Sequence, residues 1–151
     1  MLYTVEKSAY IKTLLLASMK QKSIPIINYN DCVSNEEILK IELSEVRKKQ
    51  KSVAECIDND ETASRLSVLL KSKYLLILTS SEGLLQNPQD KTSLIKAVEG
   101  KNTEELLEHI NRLMGYCDGA SRKGANGMLA KLQYIREPIE NGTTVIIGSS
   151  Q

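Results

Sequence analysis

Two carboxylates flank one amide at Asp58-Asn59-Asp60, immediately ahead of a helical pattern. A single Asp at that place reads as a helix cap, since Asp and Asn satisfy the orphan N–H groups of a first turn. The whole triplet offers more, because it can orient ammonium groups and a magnesium ion around a transferring anion. A second group, Asn28-Tyr29-Asn30-Asp31, follows a short apolar run. There an Asp can accept from an ammonium while amide side chains donate to a carboxylate, which is how an amino acid is held. An Asx-rich turn opening the next helix explains the same residues. The third group runs from Gly115 to Lys131, where four glycines and several small residues lead into a helix. The first turn of such a helix presents N–H groups to an anion, and Lys131 lies one turn inside it. The spacing is not that of a Walker phosphate loop.

The elements that must position these residues follow from periodicity. Val5 to Met19 carries a helical stripe through Tyr10, Ile11, Leu14 and Leu15. Ser23 to Asn28 reads as a short buried strand with Pro25 near its start. A capped helix is expected from Asn35 through Ile57, and another from Glu61 to Leu70. Tyr74 to Thr79 is a continuous apolar run bounded by polar residues, the pattern of a central strand covered on both faces. Leu94 to Val98 is a weaker strand. Thr103 to Met114 is an amphipathic helix, Gly115 to Gly127 a loop, Met128 to Glu140 a helix kinked by Pro138, and Thr143 to Ile147 a last strand. Alternation of helix and apolar strand predicts an α/β, three-layer sandwich with a largely parallel sheet.

Composition narrows the partners. A chain of 151 residues is expected to form one domain over residues 1–151, large enough to bury roughly 68 to 70% of its unfolded surface. With six Tyr and no Phe or Trp, its core must be aliphatic. Twenty basic against nineteen acidic side chains give a net charge of +1, so no field steers it to nucleic acid or an anionic membrane, and neither is expected as a partner. Three widely spaced cysteines, Cys32, Cys56 and Cys117, suit neither a zinc knuckle nor a disulfide framework and point to a reducing cytoplasm. The basic run from Arg47 to Lys51 reads as a solvated face, and so does the lone His109.

At these places the chain resembles the amino-acid kinase family, and within it the glutamate 5-kinases. Ile24 to Asp31 is similar to that family's Pro-Ile-Ile-Asn-Glu-Asn-Asp stretch, and Asp58-Asn59-Asp60 to its Gly-Asp-Asn-Asp. Leu75 to Gly83 resembles Leu-Leu-Ile-Leu-Thr-Asp-x-x-Gly-Leu, and Asn126 to Lys131 resembles Gly-Gly-Met-x-Thr-Lys, in the same order along the chain. The resemblance implies the carbamate kinase-like fold, with ATP and Mg²⁺ as cofactors and L-glutamate as acceptor. It implies that Asp31 and Asn59 contact glutamate and that Asp60 orients the lysines flanking the phosphoryl group. Thr79 and Ser80 would touch the nucleotide, while Ala125, Asn126, Gly127, Met128, Leu129, Ala130 and Lys131 would wrap its phosphates. Lys131 would neutralise charge developing in transfer, and no side chain is assigned to the metal itself.

The departures from the family matter equally. The family's first strand and Lys/Gly-rich phosphate loop precede the point where Met1 stands, so an amino-terminally truncated domain is expected. Ser80 replaces an Asp, Ala125 and Ala130 replace threonines, and Asn126 replaces a glycine. Three functional classes therefore stand side by side: a reduced glutamate kinase, a non-catalytic glutamate- and nucleotide-binding pseudokinase, and half of a split kinase completed by an amino-terminal lobe. Either that lobe or a second copy of the chain is the expected protein partner.

Overall fold

The computed structural model describes residues 5–28, 59–79, 82–87, 90–117 and 127–149. The chain divides into two compact units, Met1–Thr62 and Ala63–Gln151. The predicted helix around residues 35–57 and the basic run lie outside the described residues.

In the first unit, α1 spans Val5–Lys20, as its stripe predicts. It stops because Lys22 takes a left-handed φ of 60°. Ser23 N then donates to Ser18 O at 3.2 Å and Lys22 N to Met19 O at 2.9 Å. This pair of bonds is a Schellman closure, here built on lysine where glycine is usual. The strand expected over Ser23–Asn28 is not formed. Residues 23–28 are irregular, and Ile24 and Ile26 are 89% and 93% exposed rather than buried. A strand exists only through its neighbour's ladder, and no described strand pairs with this segment.

The helix predicted from Glu61 begins two residues earlier: α2 spans Asn59–Leu70. It ends as α1 does, with Lys71 at φ 53°, Ser72 N on Ser67 O at 2.8 Å and Lys71 N on Val68 O at 3.1 Å. β1 follows at once over Tyr74–Thr79, the boundaries expected from the apolar run. After β1 the chain crosses a loop in which Leu94 makes only a single antiparallel bridge to Leu85, so the weaker strand to Val98 is not realised. A 3-10 turn at Lys91–Ser93 is capped by Asp90. α3 spans Thr103–Met114, with Asn102 accepting from Glu105 N, and buries Ile110. A 3-10 turn, Gly115–Cys117, extends it.

The last predicted helix is two helices, α4 at Met128–Tyr134 and α5 at Arg136–Glu140, divided at Ile135. Pro138 has no N–H, so the carbonyl four residues back, that of Tyr134, loses its helical donor. Ser64 supplies the replacement, its hydroxyl donating to Tyr134 O at 2.5 Å. α5 closes in a third Schellman motif, with Gly142 at φ 82°, Thr143 N on Pro138 O at 2.9 Å and Gly142 N on Ile139 O at 2.9 Å. β2 then spans Thr144–Ser149, one residue later at its start than predicted and two later at its end, taking in Gly148.

β1 and β2 form a parallel pair with Tyr74 opposite Thr144 and Thr79 opposite Ser149. The two helix endings set that register. Thr143 Oγ1 donates to Ser72 O at 2.9 Å and Thr144 N to Lys73 O at 3.0 Å, so both strands start from level, tied turns. Leu75 and Ile77 on β1 pack with Ile110, Cys117, Leu132 and Ile135 into one aliphatic core. The opposite face is uncovered among the described residues: Tyr74, Leu76 and Leu78 are 52%, 60% and 63% exposed. The expectation of a strand covered on both faces and central in its sheet is therefore not met by the described residues, in which β1 has one neighbour and one covered face.

Candidate active site

In an open parallel sheet, ligands collect beyond the carboxyl ends of the strands, where the following loops diverge. Thr79 is the last residue of β1 and Ser149 of β2, and the register places them on one rung. Half-buried Thr79 therefore stands at this rim. The glycine at position 83 belongs to the loop after β1 and has φ +152°; a Cβ there would come 3.1 Å from Leu94 Cδ1 and 3.8 Å from the carbonyl oxygen of Ile147. This close approach brings the loop over β2, just below its last residues.

The glycine-rich segment reaches the same rim by a different route. α5 ends at the amino end of β2, and Leu132 and Ile135 pack into the core under the sheet. The thirteen residues from Met128 to Glu140 therefore run back along the strands. At about 1.5 Å per helical residue they span about 20 Å, the length of a six-residue strand at about 3.3 Å per residue. The start of α4 consequently lies toward the carboxyl ends. Gly127, its N-cap, has extended φ and ψ of −65° and −169° and carries no side chain to cap the first turn. Met128, Leu129 and Ala130 are half-buried on that turn, and Met128 and Leu129 pack against the core. Lys131 follows, also half-buried, with its N–H on Gly127 O at 3.3 Å. Apolar anchoring at positions 128, 129, 132 and 135 fixes the helix and so the level of the lysine.

Asn59 and Asp60 lie in the first turn of α2, in the first unit, Asn59 exposed and Asp60 half-buried. They were expected just ahead of the helix and prove to be inside it. Asp31, Ser80, Ala125 and Asn126 lie outside the described residues. Thr79 and the Gly127–Lys131 turn thus belong to the second unit, and Asn59 and Asp60 to the first.

Sequence reading passed over the polar stripe that follows Asp60. Glu61, Thr62, Ser64 and Ser67 are all buried. Ser64 and Ser67 have structural work, Ser64 on Tyr134 O and Ser67 on Ser64 O at 2.8 Å. Their i, i+3 spacing inside an apolar pattern was the available signal. His109, expected to be solvated, is half-buried and donates from Nδ1 to Glu99 O at 2.7 Å, since a carbonyl can only accept. It tethers the segment entering α3. Cys117 is buried and donates to Leu113 O at 3.7 Å, a packing role. No cluster of three His, Cys, Asp or Glu able to hold a metal occurs among the described residues. Among those residues, no helix is long and apolar enough to cross a membrane.

Glutamate 5-kinase of Streptococcus suis is 30% identical over 135 residues, 88% of this chain and 32% of that protein. Glutamate 5-kinase of Neisseria meningitidis is 30% identical over 135 residues, 87% of this chain and 30% of that protein. Acetylglutamate kinase of Caldanaerobacter subterraneus is 36% identical over 86 residues, 57% of this chain and 25% of that protein. The chain thus spans between a quarter and a third of the length of these curated relatives. No solved structure matches it. The sequence profile of the amino acid kinase family matches residues 3–149, nearly the whole length, and with an α/β architecture built on a parallel pair of strands the chain belongs to that family.

Proposed function

We propose that this chain serves ATP-dependent phosphorylation of the side-chain carboxylate of L-glutamate, as a glutamate 5-kinase does, in the cytoplasm and at the head of proline synthesis. The reading is supported by Thr79 at the carboxyl end of β1 and by the Gly127–Lys131 turn that opens α4. Phosphoryl transfer asks little covalent chemistry of a protein; it asks for positioning and for charge to be offset where it develops. Thr79 and Ser80 contact the nucleotide, and Ala125 to Lys131 wrap its phosphates. The Lys131 ammonium offsets charge on the transferring group. Asp31 and Asn59 hold glutamate by its ammonium and carboxylate, and Asp60 orients the cationic side chains. Mg²⁺, bound with ATP, would add charge neutralisation at the phosphate oxygens.

Glutamate is favoured over acetylglutamate by extent, since the glutamate 5-kinases align over 87 to 88% of the chain and the acetylglutamate kinase over 57%. The test is acyl phosphate formation from Mg·ATP, trapped with hydroxylamine, with glutamate and acetylglutamate offered separately. Product with glutamate alone is expected, and Lys131→Ala should lower the rate by about 10² to 10³, the usual cost of one preorganised stabiliser. Turnover with acetylglutamate alone, or turnover indifferent to Lys131→Ala, would reject the reading.

A further inference from the structure

A serine inside a helix ordinarily bonds back to a carbonyl of its own previous turn. Ser67 does so, donating to Ser64 O at 2.8 Å. Ser64, 4% exposed, instead sends its hydroxyl to Tyr134 O at 2.5 Å, seventy residues along the chain. The peptide that owns this carbonyl has a second bond. It joins Tyr134 to Ile135, and Ile135 N donates to Lys131 O at 3.1 Å. One planar, rigid peptide is therefore held at both ends, by Ser64 on one side and by the Lys131 backbone on the other. Lys131 N in turn donates to Gly127 O at 3.3 Å. The bonds run without interruption from Ser64 in α2 to Lys131 and on to the N-cap of α4.

The length of α4 explains the need for such a tie. It has seven residues, Met128–Tyr134, and an isolated helix that short is not stable in water. Gly127 brings no side-chain cap to its start, and Pro138 denies Tyr134 O the N–H that would carry the ladder into α5. Leu132 and Ile135 are buried in the core and hold the segment against it. Apolar contact is non-directional, however, and does not orient a peptide plane. A hydrogen bond does, since it weakens steeply with angle. Ser64 supplies that direction from a neighbouring helix.

We propose that Ser64 is a positioning residue for Lys131: its hydroxyl, acting through the peptide between Tyr134 and Ile135, fixes the backbone from which the ammonium extends to the phosphates of a bound nucleotide. The inference rests on the reading of Lys131 above and adds to it a residue that acts on the phosphates only through the lysine.

The test is a double-mutant cycle on the full chain, with Mg·ATP titrated calorimetrically well below the thermal midpoint of every variant. Ser64→Ala is expected to weaken Mg·ATP at least about fivefold when Lys131 is present, and less than about twofold in a Lys131→Ala background, where no ammonium is left to misplace. In a Pro138→Ala background, where the N–H at position 138 reaches Tyr134 O, Ser64→Ala should again cost less than about twofold. A merely structural serine would lower affinity equally with and without the lysine. That result, or a loss under about twofold in the natural background, would overturn the inference alone. So would an undiminished loss in the Pro138→Ala background. Where Lys131→Ala abolishes binding, NMR of the Lys131 Cε decides: saturating Mg·ATP should shift it less in Ser64→Ala than in the unaltered chain, and equal shifts would overturn the inference. Failure of the unaltered chain to bind Mg·ATP would remove the nucleotide reading together with this one.

Discussion

Replacing Ser64 with Ala should cost far more than loss of one surface hydroxyl, because of what Pro138 does seventy-four positions away. Pro138 is fully buried and supplies no N–H, so Tyr134 O takes its hydrogen bond from Ser64 Oγ at 2.5 Å. Helical geometry continues on both sides of the break, with Ile135 N on Lys131 O and Ile139 N on Ile135 O, each at 3.1 Å. The carbonyl of Tyr134 takes a bond from another helix, α2. Ser64 is 4% exposed, so water cannot readily replace the hydroxyl. Removing the donor to a part-buried acceptor costs about 1 kcal/mol. In a chain of this size each kcal/mol lowers the thermal midpoint by about 2–4 °C.

A double-mutant cycle isolates the cause. In a Pro138→Ala background the restored N–H at position 138 reaches Tyr134 O, so Ser64→Ala should cost at least about 0.5 kcal/mol less than in the natural chain. Urea unfolding followed by far-UV circular dichroism measures all four proteins. Equal costs of Ser64→Ala in the two backgrounds would refute the argument that proline created the need for serine, and a cost under about 0.5 kcal/mol would refute a role for the Ser64 bond itself.

Two further outcomes follow from local geometry. Gly100→Ala would place Cβ 2.5 Å from Leu106 N and 2.9 Å from Leu106 Cα, both backbone atoms of α3 that cannot rotate aside. A loss of about 1–3 kcal/mol by urea midpoint is expected, against no loss for Gly115→Ala, which meets nothing within 4 Å; equal effects would refute it. Asp90 is held below the usual carboxylate pKa first by the Thr92 hydroxyl at 2.7 Å and then by Thr92 N at 2.8 Å. Because the folded pKa is depressed, the contribution is present above the unfolded pKa of about 3.9 and is lost as pH falls through the folded value. Thr92→Val keeps the N–H and removes the hydroxyl, so the Asp90 carboxyl carbon should titrate higher by NMR; an unmoved titration would refute the assignment.

The sequence reading succeeded where structure is local. Leu106, Leu107, Ile110, Leu113 and Met114 recur at helical spacing, and α3 ends within the predicted residues because its ladder is closed inside the segment. The unbroken run from Tyr74 to Thr79 announces β1 to the residue. The family was legible too, since Asp58-Asn59-Asp60, Leu75–Gly83 and Asn126–Lys131 keep an order that residue types alone display. Boundaries were less legible. No composition signal tells lysine to adopt positive φ, yet Lys22 and Lys71 end two helices that way. The division of the last helix falls at Ile135, three residues before the proline that causes it.

What residue order determined by itself is therefore α1, α2 and α3, the one strongly apolar strand, and the types of side chain offered for chemistry. Those depend on bonds and contacts within a few residues. Tertiary structure decided everything that needs a distant partner. It left Ser23–Asn28 without a ladder, moved β2 to Thr144–Ser149 through two tied helix ends, and matched Ser64 to a carbonyl freed by Pro138. Strand pairing and part-buried polar bonds join segments some seventy residues apart, and their partners are chosen by packing, which no local window of sequence contains.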